Sequence, residues 1–418
     1  MKKDKDNRIQ NFGFDTKNDN NKSDDSQKNI LNPKIAKSKK KMKSNKNQKI
    51  SLMIIALLIL LFFILLIIVI IKIPDQPKIA LNGENETIAI ADYQAIMTFN
   101  NNEGKNYYPF DNQFVYLSQN RIQLLNQKNE NIYNENLDFN RPVNIQNNEY
   151  FLASDRESGK IIVLSHQGKQ FSLDLDGVFA GAYFANEKYI AIIEENSNKS
   201  GFVHIVSVDD GQVLLTLQFF ESGYPLSIVF DKNLEYFDVL LSNTSGSNLQ
   251  TIINRYDFSG KQLGQIKLTE YPNLYAQIYY DKNENLILAG PGSLLVLDFN
   301  KNEVLAEYNV GRIIQMIPGD KIDILVSDRI DDGNFLIEWS ESEQKFIEND
   351  LTLLSQIDQF AYNDSFIAMS QNNHILLINK SEKSIILDQY IDTDILKMNI
   401  LNNKLILITD NSIKSISF

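Results

Sequence analysis

The chain has 418 residues, 43% of them hydrophobic, with no cysteine and a formal net charge of −12. Such a chain can build a core that needs no covalent staples, and the missing thiols exclude disulfides and thiolate metal sites. The acidic balance excludes nucleic acid as an expected partner, because a polyanion is bound by basic surfaces.

The charge is unevenly spread. Residues 1–49 carry fifteen basic and six acidic side chains, a balance of +9, whereas beyond Lys72 there are 25 basic and 47 acidic residues, or −22. Residues 1–48 are rich in Asn, Lys, Asp, Ser and Gln and too poor in apolar side chains to form a core, so they read as a disordered basic cytoplasmic tail. Asn11-Phe12-Gly13-Phe14 places aromatic residues within it; a docking peptide is one reading and chance composition the plainer one.

A run of twenty apolar residues, Leu52 to Ile71, comes next. At about 1.5 Å per residue it matches a hydrocarbon core of roughly 30 Å, which predicts one transmembrane helix over residues 50–73. The tail before it is too long for a signal peptide, and the exit, Lys72-Ile73-Pro74-Asp75, has no small-residue cleavage pattern. An uncleaved anchor is therefore expected. Lys34, Lys37, Lys39, Lys40, Lys41, Lys43, Lys46 and Lys49 precede it with no acidic residue among them, which puts the N-terminus in the cytoplasm and residues 75–418 outside the cell membrane. Lys39, Lys40, Lys41 and Lys43 would meet anionic lipid, at about 1 kcal/mol per lysine.

From Asn126 onward a hairpin pattern recurs: apolar strand, polar turn, apolar strand. With Asn126, Ser165, Asp209, Asp257, Asp298, Glu338 and Asn379 as anchors, the intervals are 39, 44, 48, 41, 40 and 41 residues. That period is one four-stranded propeller blade per repeat. Each repeat also holds a central apolar strand, at Phe114–Leu117, Tyr150–Ala153, Tyr189–Ile193, Tyr236–Leu241, Leu286–Ala289, Ile322–Val326, Phe366–Met369 and Leu405–Ile408. Many of these are unbroken apolar runs, as expected of strands covered on both faces. The expected fold is all-β, an eight-bladed β-propeller; seven blades with an extra terminal hairpin is the alternative. The last repeat lacks its outer strand, and residues 78–92, containing Thr87-Ile88-Ala89-Ile90-Ala91, are expected to supply it and close the ring.

Residues with chemical potential are few. His166 falls in a hairpin turn, His204 and His374 fall in third strands, and none has a second metal ligand at a recognisable spacing. Asp174-Leu175-Asp176-Gly177 and Asp328-Arg329-Ile330-Asp331-Asp332-Gly333 bring acidic oxygens together without the spacing of a calcium loop, so solvated turns are expected. Thr244-Ser245-Gly246-Ser247 reads as a hairpin loop without a histidine, and Ala289-Gly290-Pro291-Gly292 as a strand connection. Trp339 stands alone, which argues against a stacked-tryptophan sugar platform, and Tyr107, Tyr108, Tyr279 and Tyr280 read first as packing. No catalytic residue, metal site or cofactor is assigned.

The run from Pro109 to Phe171, with its Tyr-Leu-Ser-Gln-Asn-Arg-Ile-Gln-Leu-Leu-Asn and Ser-Asp-Arg-Glu-Ser-Gly-Lys-Ile-Ile-Val-Leu stretches, and the segment Gly223-Tyr224-Pro225-Leu226-Ser227-Ile228-Val229-Phe230-Asp231-Lys232-Asn233 carry a resemblance. They resemble a family of uncharacterised, single-pass, membrane-anchored β-propeller proteins of Gram-positive bacteria, a domain of unknown function. Phe230-Asp231-Lys232-Asn233 departs from the Ser-x-Asp-Gly turn common in propellers. The resemblance implies a propeller over the ectodomain and carries no catalytic residue with it. The expected function is a binding or scaffold module that presents a propeller face to an envelope protein or polymer. A transmembrane sensor working through the tail, or an enzyme of envelope polysaccharide with carboxylates around the channel, are the alternatives.

Overall fold

The computed structural model describes residues 92–196, 201–220, 223–244, 249–318, 323–327 and 333–418. The tail over 1–48 and the apolar span over 50–73 lie outside them. Among the described residues no helix is long and apolar enough to cross a membrane.

The strands assemble into eight four-stranded antiparallel sheets. Blades 1 to 7 span residues 107–136, 142–174, 178–219, 224–268, 277–309, 312–348 and 359–390, each built from four consecutive strands. Blade 8 takes three strands from residues 397–417 and its fourth from Gln94–Thr98. The seven-blade alternative is thereby excluded. In each blade the first strand is innermost, and first strands of neighbouring blades lie against one another around the centre, as between blades 3 and 4, 4 and 5, 7 and 8, and 8 and 1.

Burial explains the sequence pattern strand by strand. The expected central strands are the second strands of the blades: Gln113–Leu117, Phe151–Asp155, Tyr189–Glu195, Tyr236–Asn243, Leu286–Gly290, Asp323–Ser327, Phe366–Gln371 and Lys404–Ile408. Phe151–Asp155 and Leu286–Gly290 are buried at every position, because a neighbouring blade covers each face. The fourth strands alternate instead, as in Asn131–Asn136, since one of their faces meets solvent. The core is a series of apolar layers between blades; Phe237, Val239 and Leu241 of blade 4, for example, pack on Ala191, Val203 and Ile205 of blade 3. Each fully buried side chain of this kind contributes about 1.5–3 kcal/mol.

The turns follow from backbone chemistry. Asn129, Asn186, Asn302, Asn372 and Asn402 adopt φ between 50° and 62°, the left-handed region that asparagine tolerates better than other residues bearing a Cβ. This accounts for the abundance of asparagine between strands.

Ring closure needs one correction. The outer strand of blade 8 is Gln94–Thr98, not Thr87–Ala91, which lies outside the described residues; Asp92 precedes the strand. Gln94 pairs with Ser415 and Thr98 with Ser412, with a bulge between Ala95 and Met97. The strand sits where it does because Met97 enters the layer formed by Tyr107, Phe114, Ile406, Ile408 and Ile413, which joins blade 8 to blade 1.

Candidate functional site

The turns joining first to second strands all emerge at one end of the channel, because every first strand runs in the same direction. Among the described residues seven of these turns hold eight carboxylates, ten asparagines and three lysines, so this mouth is polar and acidic. A cavity of about 800 Å³ opens there, lined from blades 1, 2, 6, 7 and 8 by residues including Asp111, Asn147, Pro318, Tyr362, Asn363 and Asn399.

The asparagines at this mouth are set by their own turns. Asn147 Oδ1 accepts the N–H groups of Glu149 at 2.9 Å and Tyr150 at 2.7 Å. Asn363 Oδ1 does the same for Ser365 at 2.9 Å and Phe366 at 2.8 Å. The oxygen is used up by the turn, which leaves each Nδ2 donor for something outside it. Tyr362 beside them is 36% exposed, and among the described residues it is the one large hydrophobic side chain of an innermost strand with that much exposure.

Tyrosine recurs on the innermost strands: Tyr108 in blade 1, Tyr183 in blade 3, Tyr224 in blade 4, Tyr279 in blade 5 and Tyr362 in blade 7. Tyr183 donates its hydroxyl to the Leu226 carbonyl at 2.8 Å. Burial pushes the Tyr279 phenol up to about 12 and raises those of Tyr183 and Tyr362 as well, so all three are neutral at physiological pH. Lys397 of blade 8 donates to the carbonyls of Lys105 and, at 2.7 Å, Tyr107, and its Nζ lies 3.2 Å from the centroid of the Tyr108 ring. Burial pulls its pKa down to about 7.

A second cavity, of about 240 Å³, lies on the same side between blades 3, 4 and 5, with Tyr183, Phe230, Asp231 and Tyr279 in its wall.

The residues singled out from sequence divide between these places and the packing layers. His166 stacks on Phe110 at 4.4 Å between centroids and donates from Nε2 to the Asn148 carbonyl at 2.9 Å. His204 sits 2.9 Å from Glu194 Oε2 and 3.0 Å from Thr216 Oγ1, and His374 pairs with Asp388 while stacking on Tyr390. Asp174 and Asp176 are exposed, and Asp328, Asp331, Asp332 and Ser245–Ser247 of the hairpin loop lie outside the described residues. Among the described residues no three His, Cys, Asp or Glu side chains converge on a metal position. Trp339 is buried against Phe346.

The tyrosine pairs separate. Tyr107 is buried and stacks on Phe99 at 4.2 Å, and Tyr280 donates its hydroxyl to Asp238 in the seam between blades 4 and 5, whereas Tyr108 lies edge-on to Phe151 beneath the Lys397 ammonium and Tyr279 lines the smaller cavity. Sequence reasoning missed Tyr183, Tyr362 and Lys397. Their shared signal was position on the strand preceding each central strand.

Sqt1 of Saccharomyces cerevisiae is similar over 79% of this chain and 99% of its own, with 10% identity and a TM-score of 0.52. BamB of Moraxella catarrhalis is similar over 78% of this chain and 100% of its own, with 13% identity and a TM-score of 0.49. At such identities the likeness concerns the fold. No curated protein sequence matches the chain. The pattern of the family described as "Family of unknown function (DUF5711)" matches residues 84–418, and the chain belongs to that family.

Proposed function

We propose that this chain is a single-pass membrane protein of a Gram-positive cell envelope, whose extracytoplasmic propeller is a binding or scaffold module. The apolar run Leu52 to Ile71 anchors it, the lysines before the run keep the N-terminus in the cytoplasm, and Lys39, Lys40, Lys41 and Lys43 hold the tail against anionic lipid. The partner, an envelope protein or polymer, meets the channel mouth on the first-turn face.

One observation carries the reading: five blades together line a cavity of about 800 Å³ at that mouth. Two of its asparagines, Asn147 and Asn363, spend their side-chain oxygens on their own turns, which leaves their Nδ2 donors beside an exposed tyrosine ring. A few polar groups held by a rigid frame next to an aromatic face are what orient a bound polar molecule.

Crosslinking and affinity capture of the full chain in its own cells, followed by mass spectrometry, tests this. The expected result is an envelope component recovered with the wild type and lost with Tyr362→Ala combined with Asn363→Asp. Equal recovery with both would remove the mouth from the interface. A protease-accessible tag after Phe418 that is protected in intact, wall-stripped cells would overturn the topology.

A further inference from the structure

The wall of the 800 Å³ mouth cavity offers hydrogen-bond donors and acceptors on separate side chains. The donors are amides whose orientation is fixed by their turns, because a backbone N–H can be met only by the side-chain oxygen. Asn147 and Asn363 each give that oxygen to two backbone N–H groups, and Asn399 gives its own to the N–H of Ile400 at 2.9 Å. What each has left for a ligand is Nδ2. All three residues are half-buried, and among the described residues that are not fully exposed the side-chain N and O atoms both closed to solvent and unpaired belong to Asp231, Trp339 and Ser370. The three Nδ2 groups are therefore open, and they call for acceptors in whatever binds.

The acceptors in the same wall are the carboxylates of Asp111, Glu149 and Asp364. Asp111 Oδ2 takes one bond, from Asn112 at 3.0 Å, and Glu149 Oε2 stands 3.9 Å from His166 Nε2. No lysine or arginine lines the cavity among the described residues; Asp320 and Lys321, which follow Pro318 in the sequence outside them, cancel in charge. A polymer carrying phosphate or carboxylate would meet three like charges with nothing to offset them. An ammonium ligand would satisfy the carboxylates and leave three N–H donors aimed at its positive charge. A hydroxyl is uncharged, accepts from an amide and donates to a carboxylate. Tyr362, 36% exposed with Phe360 behind it at 5.9 Å between centroids, adds an aromatic face for the C–H side of a sugar ring.

We infer that the mouth cavity binds an uncharged glycan, with one sugar ring on Tyr362 and its hydroxyls shared between the amides and the carboxylates. The volume accommodates about two or three sugar units. This inference rests on the binding-module reading and names the chemical class of what the mouth takes.

Calorimetry on the purified full-length chain, in a zwitterionic detergent without a sugar headgroup, tests it with maltotriose, triacetylchitotriose, trigalacturonate and trilysine. At least one of the two neutral trisaccharides should bind, and trigalacturonate should bind about tenfold more weakly or not at all. Tighter binding of the trisaccharide than of its own monosaccharide supports a polymer chain as the source, and equal binding supports a free sugar. Tyr362→Ala should weaken binding about tenfold. Asn147→Asp keeps the oxygen that its turn needs and exchanges the donor for an acceptor; it should weaken binding severalfold with an unchanged melting curve. Lying on blade 2, it keeps the test valid if Tyr362→Ala disturbs blade 7. Binding of neither neutral trisaccharide would overturn the inference, as would trigalacturonate binding equally well, or trilysine binding more tightly than the sugars and more tightly still to Asn147→Asp. Capture of an envelope protein that is lost with Tyr362→Ala combined with Asn363→Asp, without saccharide binding, would leave the module reading standing while this one fell.

Discussion

Two seams of the ring use the same three groups in different surroundings. Between blades 4 and 5, Arg255 binds Asp238 through Nε and Nη2 at 2.9 Å each, Tyr280 donates to the same carboxylate, and the guanidinium lies between the rings of Tyr236 and Phe299. At the closure, Lys414 and Tyr93 both donate to Asp392, and the Lys414 ammonium lies 4.0 Å from the centroid of the Tyr93 ring. The first carboxylate side chain is 0% exposed and the second 47%. Burial pushes Asp238 up in spite of its arginine, while the Lys414 and Tyr93 hydrogen bonds hold Asp392 below the usual carboxylate range. The inner seam is an ion pair removed from water, and losing one partner strands the other. At the closure Asp392 stays half in water although the Lys414 side chain is only 6% exposed, so this pair contributes less than the inner one, and the backbone pairing of Gln94–Thr98 together with buried Met97 does most of the joining.

The largest effect should come from deleting residues 94–98. This leaves blade 8 with three strands and an open edge, and should cost several kcal/mol of a total of about 5–15, seen as a large fall in melting temperature. An unchanged melt would remove the closure from the account. Asp238→Ala comes next, at about 3–5 kcal/mol by denaturant titration, whereas Asp238→Leu with Arg255→Met should cost far less. Equal losses in the single and double variants would show that the buried pair acts otherwise.

Lys397→Met sharpens the comparison through pH. The folded pKa is about 7, against about 10.4 for an unfolded lysine, so between these values the unfolded chain holds more protons and stability rises with pH. Melting temperature should climb from pH 7 to 9.5 in the wild type and climb less in the variant; parallel curves would sink the assignment. The smallest effect belongs to Asp392→Asn. A depressed carboxylate stabilises the fold above its unfolded pKa of about 3.9 and ceases to as pH falls through the folded value, so this variant should lose under about 1 kcal/mol at pH 7 and show a shallower acid limb. A loss as large as that of Asp238→Ala would erase the distinction between the seams.

The repeat was legible because the second strands are covered on both faces and so are mostly apolar, and because tight turns demand Asn, Asp and Gly. Those are local demands, and the intervals between the turns gave the length of one blade. The closing strand was misplaced for an equally physical reason. Thr87–Ala91 has the better strand composition, but Met97 fits the layer between blades 8 and 1, a contact between residues more than three hundred positions apart in the chain.

The candidate site was less legible. Phe230-Asp231-Lys232-Asn233 stood out only as a departure from the usual turn, and nothing in it shows that one oxygen of Asp231 is left over. That depends on residue 235 being glutamate where blade 5 has Asn285, whose side chain donates to Asp281. By itself the sequence determined the period, the all-β class and the expectation of an anchor, since these rest on local hydrophobicity and turn chemistry, while the choice of eight blades over seven waited for the pairing of Gln94–Thr98 with the last blade. Which tyrosine of each pair bonds across a seam, which aspartate is buried with an arginine, and which segment closes the ring were decided by the tertiary structure. Each of these depends on groups from different blades meeting, and no local pattern encodes that.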